Sequence, residues 1–213
     1  MLMPLMPQIT RKIVIILLSA TIQSVSGFWL AATVAHAENR VIGTIELSVD
    51  GQAQSWYILQ PPGHLLPTAL WVPMGPGRGA AAIGAYSAPD IKFVEDATTG
   101  ASVPVDAQPV LTLSFGFPTG TEALSYDLPV GRGEGPATVI LQANWKDYTT
   151  TFDMSDGPGE IRVDSIKAIE KGNSEFAGSF RGQLQSRDGS VKRVTNGRFH
   201  VNGARYFQGK GAR

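Results

Sequence analysis

Not one of the 213 residues is cysteine. That excludes disulfides, a lipid carried on an amino-terminal cysteine, and thiolate metal ligands. Only three histidines are present, His36, His64 and His200. Only His64 and His200 lie beyond residue 37, and two histidines without cysteine argue against a catalytic zinc site, which usually draws three protein ligands dominated by His or Cys. No serine sits in G-x-S-x-G, so a nucleophile elbow is missing. "PMGPGRGAAAIG" is glycine-rich but lacks the Gly-Lys-Ser/Thr end of a phosphate-binding loop, and "VGRGEGP" lacks the setting of a dinucleotide fingerprint. Excess charge of either sign is absent too, with 18 basic against 18 acidic residues. Bulk electrostatics gives no nucleic-acid signal. No segment holds a sustained helical period, there is no internal repeat, and no cofactor motif is found.

What is present begins with a leader. Arg11 and Lys12 precede the apolar runs "IVIILLSA" and "FWLAATVA", which end in Ala35-His36-Ala37 just before Glu38. A positive start, an apolar middle and a small-x-small exit read as a secretory signal peptide cleaved after Ala37. Gln23, Ser24, Ser26 and Gly27 interrupt the run, which argues against a span of roughly 20 apolar residues. No paired-arginine signal is present. The expectation is a periplasmic or secreted product without a transmembrane span.

Residues 38–213 then form a single domain of 176 residues, large enough to bury a core without staples. It carries 16 basic and 18 acidic residues, unevenly spread. From Arg181 onward there are eight basic residues and one acid, Asp188.

Period-two alternation runs through this domain and marks half-buried strands. Val41, Gly43, Ile45, Leu47 and Val49 alternate with Ile42, Thr44, Glu46, Ser48 and Asp50, and Asp50-Gly51 supplies a tight turn. "SWYILQ", "ALWV", "IKFVE", "VLTLSFGF", "TVILQANW" and "IRVDSIKAI" are further strands, and "GAAAIGAYS" (79–87) is expected to be one short helix. Glycines and prolines, 24 and 14 of them, fall mostly between these runs. The fold class predicted is all-β, an antiparallel β-sandwich or partly open barrel with at most one short helix.

Residues 176–203 read as a hairpin. Phe176, Gly178, Phe180, Gly182 and Leu184 share one face; Ala177, Ser179, Arg181, Gln183 and Gln185 share the other. Arg187-Asp188-Gly189 makes the turn, and Asn196-Gly197 marks a bulge or second turn. Beyond it Phe199 and Val201 point one way, Arg198 and His200 the other.

The hairpin Asp50-Gly51…Trp56, coupled to "FAGSFRGQL…RVTNGRF", resembles uncharacterised exported β-domains of bacteria. The resemblance implies a β-sandwich-like fold and no activity.

Two site readings emerge. Arg181, Arg198 and His200 line the wet face of the hairpin and are candidate ligands for an anionic surface or acidic partner. Alternatively, such charges serve only solubility and block edge pairing. The loop "DMSDGPGE" offers Asp153, Ser155, Asp156 and Glu160 as oxygen donors for calcium, but its spacing fits no standard calcium loop. His64, in a proline-rich loop, and His200 read as surface residues. The function expected is a non-catalytic binding or structural module of the cell envelope. The alternatives are an envelope hydrolase using a carboxylate pair, or a small-ligand or lipid carrier if the sheet closes into a barrel.

Overall fold

The computed structural model describes residues 38–206 apart from 76–77, 99, 119–123, 129–136, 145–146, 154–157 and 170–172. The leader lies outside the described residues, as do Ser155 and Asp156 of the acidic loop and all of "VGRGEGP".

Thirteen strands follow one another: β1 (Arg40–Val49), β2 (Gln52–Gln60), β3 (Ala69–Gly75), β4 (Arg78–Tyr86), β5 (Phe93–Glu95), β6 (Ser102–Pro104), β7 (Val110–Pro118), β8 (Leu124–Leu128), β9 (Ala137–Asn144), β10 (Asp147–Asp153), β11 (Gly159–Ile169), β12 (Asn173–Ser186) and β13 (Val191–Tyr206). The described residues contain no helix. The domain is all-β, as the alternation predicts.

β5 and β6 form a small hairpin, and the other eleven strands share one sheet. Its pairings run in two stretches. β2, β1, β13, β12, β11 and β8 are neighbours in one; β3, β4, β7, β9 and β10 in the other. Short pairings of two residues each join them: β13 to β3 in parallel, β2 to β4, and β10 to β12. Followed in order, β13–β3–β4–β7–β9–β10–β12–β13 is a closed circuit of hydrogen-bonded neighbours.

One apolar cluster draws on both stretches. Ile45, Ile58, Ile161, Phe176, Phe180, Leu184 and Phe199 come from the first; Ile83, Leu111, Leu113, Phe115 and Val139 come from the second. Four phenylalanines interlock at its centre, with Phe115 within 5.6–6.2 Å of Phe117, Phe176 and Phe199. Such offset and edge contacts add stability beyond their buried area. A second, smaller cluster of Leu59, Tyr86, Ile91, Phe93 and Val110 lies under the β5–β6 hairpin. Burial there pushes the Tyr86 phenol well above its ordinary range.

Two expectations are corrected. Residues 79–87 do not make a helix: β4 occupies Arg78–Tyr86, with Ala81, Ile83 and Ala85 buried and a neighbour on each side. The side chains are small because the neighbours press close; the Phe117 ring lies where a side chain at Gly79 would go. The start of β1 is also out of phase with the simple alternation. Ile42 is buried and Val41 is 44% exposed, because the register against β2 shifts between Val41 and Gly43. That bulge inserts one residue and reverses the facing of what precedes it.

Candidate anion-binding face

The alternation of β11, β12 and β13 settles which side chains face solvent. Ile161 and Val163 are buried, so Arg162 faces out. Phe176, Gly178 and Phe180 are buried, so Ala177, Ser179 and Arg181 face out; Gly197, Phe199 and Val201 are buried, so Arg198 and His200 face out. The hairpin parity expected for Phe176–Leu184 holds.

A bulge makes this possible on β13. Val194 and Phe199 are five residues apart yet both buried. Asn196 adopts a left-handed φ of 54°, and the register against both β1 and β12 slips by one residue there. Arg193 and Arg198 are thereby both exposed. The Asn196-Gly197 pair is thus a bulge inside one long strand, not a second turn. Lys192 takes the opposite facing from Arg193, and its ammonium lies 5.0 Å from the centre of the Phe152 ring.

Arg181, Arg198 and His200 are therefore on one face of two adjacent strands. Two of them hold carboxylates. Arg181 Nε is 3.0 Å from Glu160, its register partner on β11, and His200 Nε2 is 3.2 Å from Glu175. Arg198 lies in register between Ser179 on β12 and Glu46 on β1. Among the described residues no carboxylate lies within ion-pair distance of it. Arg162, which the sequence reading did not single out, also stands in register with Ser179 and holds Asp164 through Nε at 2.7 Å. The alternation of "IRVDSIKAI" was the signal that could have found it.

The remaining candidates fall elsewhere. His64 is exposed and 3.2 Å from Glu95. Glu160 of the acidic loop is engaged with Arg181. Among the described residues no three His, Asp or Glu side chains are grouped to hold a metal, and no helix is long and apolar enough to cross a membrane.

The hairpin tip bordering this face is stiffly built. Asp188 accepts hydrogen bonds from the Ser186 hydroxyl and, at 2.9 Å, from the Ser190 amide. These bonds hold its carboxyl at about 2, the serine hydroxyl being the larger cause. The neighbouring β1–β2 turn is tied to the same strand: Asp50 accepts from the Arg193 amide at 2.8 Å and donates its own amide to the Arg193 carbonyl at 2.9 Å.

No family model, curated protein or solved structure matches the chain.

Proposed function

We propose that this chain is an exported, non-catalytic module of a bacterial cell envelope that rests against anionic lipid through the β11–β12–β13 face. The observation that carries the reading is Arg198, exposed on β13 with no carboxylate within ion-pair distance among the described residues, although Glu46 of β1 stands in register beside it. Arg181 and His200 flank it in pairs that exposure keeps weak, about 0–1 kcal/mol each. A patch several strands wide suits a plane of headgroups, where each basic group near the surface contributes roughly 1 kcal/mol. Its outward residues on β12 are small or polar (Ala177, Ser179, Gln183), without the aromatic platform that a single polymer strand would stack on.

We read the closed circuit of pairings as a flattened barrel. A carrier would need that barrel to enclose an apolar cavity. The interlocked rings of Phe115, Phe117, Phe176 and Phe199 favour a filled interior and a scaffold role.

The test is flotation with phosphatidylglycerol vesicles at low salt, comparing wild type with Arg181→Glu/Arg198→Glu. Retention that fades as salt is added and is lost in the double variant is the result expected. Wild type that stays behind, or that binds acidic polysaccharide and not vesicles, overturns the lipid reading.

A further inference from the structure

We infer that Asn202-Gly203, on β13, is a site of covalent self-modification, where the Asn202 side-chain amide is converted to a carboxylate without an enzyme. The backbone nitrogen of Gly203 attacks the side-chain carbonyl carbon of Asn202. The new C–N bond closes a succinimide ring, and ammonia leaves. Water then opens either carbonyl of the ring, giving aspartate or, with the main chain rerouted through the side chain, isoaspartate. A water enters and an ammonia departs; no oxidant, reductant or metal takes part. Glycine after the asparagine favours the step, because no side chain crowds its nitrogen.

β13 contains two Asn-Gly dipeptides, both at bulges, and the fold treats them differently. At Asn196-Gly197 the strand is held on both edges. Gly197 stands opposite Phe180 on β12, and Thr195 and Arg198 are paired with Ser48 and Glu46 on β1. Gly197 is buried, with the Phe180 carbonyl oxygen and ring 2.5–2.9 Å from where its Cβ would be. Turning that peptide plane toward the Asn196 side chain would drive it into these atoms.

Asn202-Gly203 has neither restraint. β12 pairs Asn202 with Glu175 and Ala204 with Ser174, so the ladder passes over Gly203. On the other edge β1 ends its pairing at Val201 and β3 begins at Arg205, so neither spans the dipeptide. Asn202 is exposed, and a Cβ on Gly203 would meet nothing within 4 Å. The φ of 108° at Gly203 is one that side-chain-bearing residues rarely adopt. The residue that speeds ring closure is therefore the one this bulge demands. The product sets a carboxylate opposite Glu175, which already holds His200, and like charges directly opposite on a sheet repel. Age thus adds negative charge to the outward face that carries Arg198 and His200, whatever that face binds.

The experiment holds the full chain at mildly alkaline pH, folded in one arm and in urea in the other, and samples both over days by tryptic mass mapping. Trypsin cuts after Arg193, Arg198 and Arg205, so the two dipeptides fall in separate peptides, 194–198 and 199–205. In the folded protein the 199–205 peptide should show ammonia lost and water gained roughly tenfold faster than 194–198, since Asn196 must wait for local opening. In urea the two rates should converge, because both asparagines precede glycine. A folded protein in which 194–198 changes as fast as 199–205 overturns the assignment. So does a 199–205 peptide that stays intact in the folded protein and changes only in urea. A difference of the same size in both arms overturns it too, because its cause would be the neighbouring sequence and not the bulge.

Discussion

Phe199 lies across from Gly178, and its ring occupies the space that a side chain at 178 would need, with Cζ 2.5 Å from the position of a Cβ. The relationship is reciprocal: Phe180 faces Gly197 in the same two strands, its ring 2.8 Å from the position of a Cβ there. Each ring fills the space beside a glycine of the neighbouring strand. The two pairs lock β12 to β13 in one register, because a slip of two residues, which keeps each side chain on its face, would set Phe180 against Phe199.

Gly178→Ala should therefore destabilise the domain. Replacing a strand glycine normally gains about 0.5–1 kcal/mol through the unfolded chain. Here the new methyl meets the Phe199 ring and the Arg162 carbonyl oxygen. Overpacking of that kind costs about 1–3 kcal/mol, and the backbone oxygen has no room to yield. Thermal unfolding should show a lowered midpoint; an unchanged or raised one would mean that the rings do not fill the space beside the glycines.

The two faces of β12 should respond differently to truncation. Phe180 is 2% exposed and Gln183 faces solvent. Phe180→Ala should cost about 3–5 kcal/mol, and Gln183→Ala should stay within about 0.5 kcal/mol of wild type. At about 2–4 °C per kcal/mol for a domain of this size, calorimetry separates them easily. Equal midpoints would contradict the parity of the strand.

Much of this was legible in the sequence because its signal has a period of two. β2, β7, β9, β11 and the β12–β13 hairpin follow from alternation alone. β4 did not, because alanine is the best helix former and its buried and half-buried positions look alike in sequence. The bulge at Ile42 was hidden since Val41 and Ile42 are both apolar and either could be buried. For the site, the outward facing of Arg181, Arg198 and His200 was readable. Their partners were not. Glu160 lies on another strand, and its pairing depends on the β11–β12 register. Arg162 meets Arg198 only through Ser179, a relationship among three strands.

Acid should loosen the hairpin tip at an unusual pH. Asp188 titrates at about 2 in the folded protein, against an ordinary value of 3.8. A lowered carboxyl stabilises the fold above its unfolded value, and that contribution declines as pH falls from near 4 through 2. A carboxyl-carbon NMR titration should place the Asp188 midpoint well below the ordinary aspartate value of 3.8. Ser186→Ala should raise it, and a midpoint that does not move in this variant would remove the hydroxyl as its cause.

If the leader is cleaved after Ala37, mass spectrometry of exported material should find an amino terminus at Glu38 or within a residue or two. A full-length chain recovered only with detergent would indicate a retained anchor.

β13 reaches three partners, β1, β12 and β3, and is the last of the described strands. Gly43 waits for Val201, which is nearly the whole length of the domain away. Non-local pairings of this kind make folding slow, since a long loop must close before its contacts return any stability. A chain that stops short of residue 191 would lack the strand on which β1, β12 and β3 converge, so this core can assemble only after residues 191–206 have been made. Until then the polypeptide stays open and threadable, the state that passage through a narrow pore would require if residues 1–37 direct the chain to one.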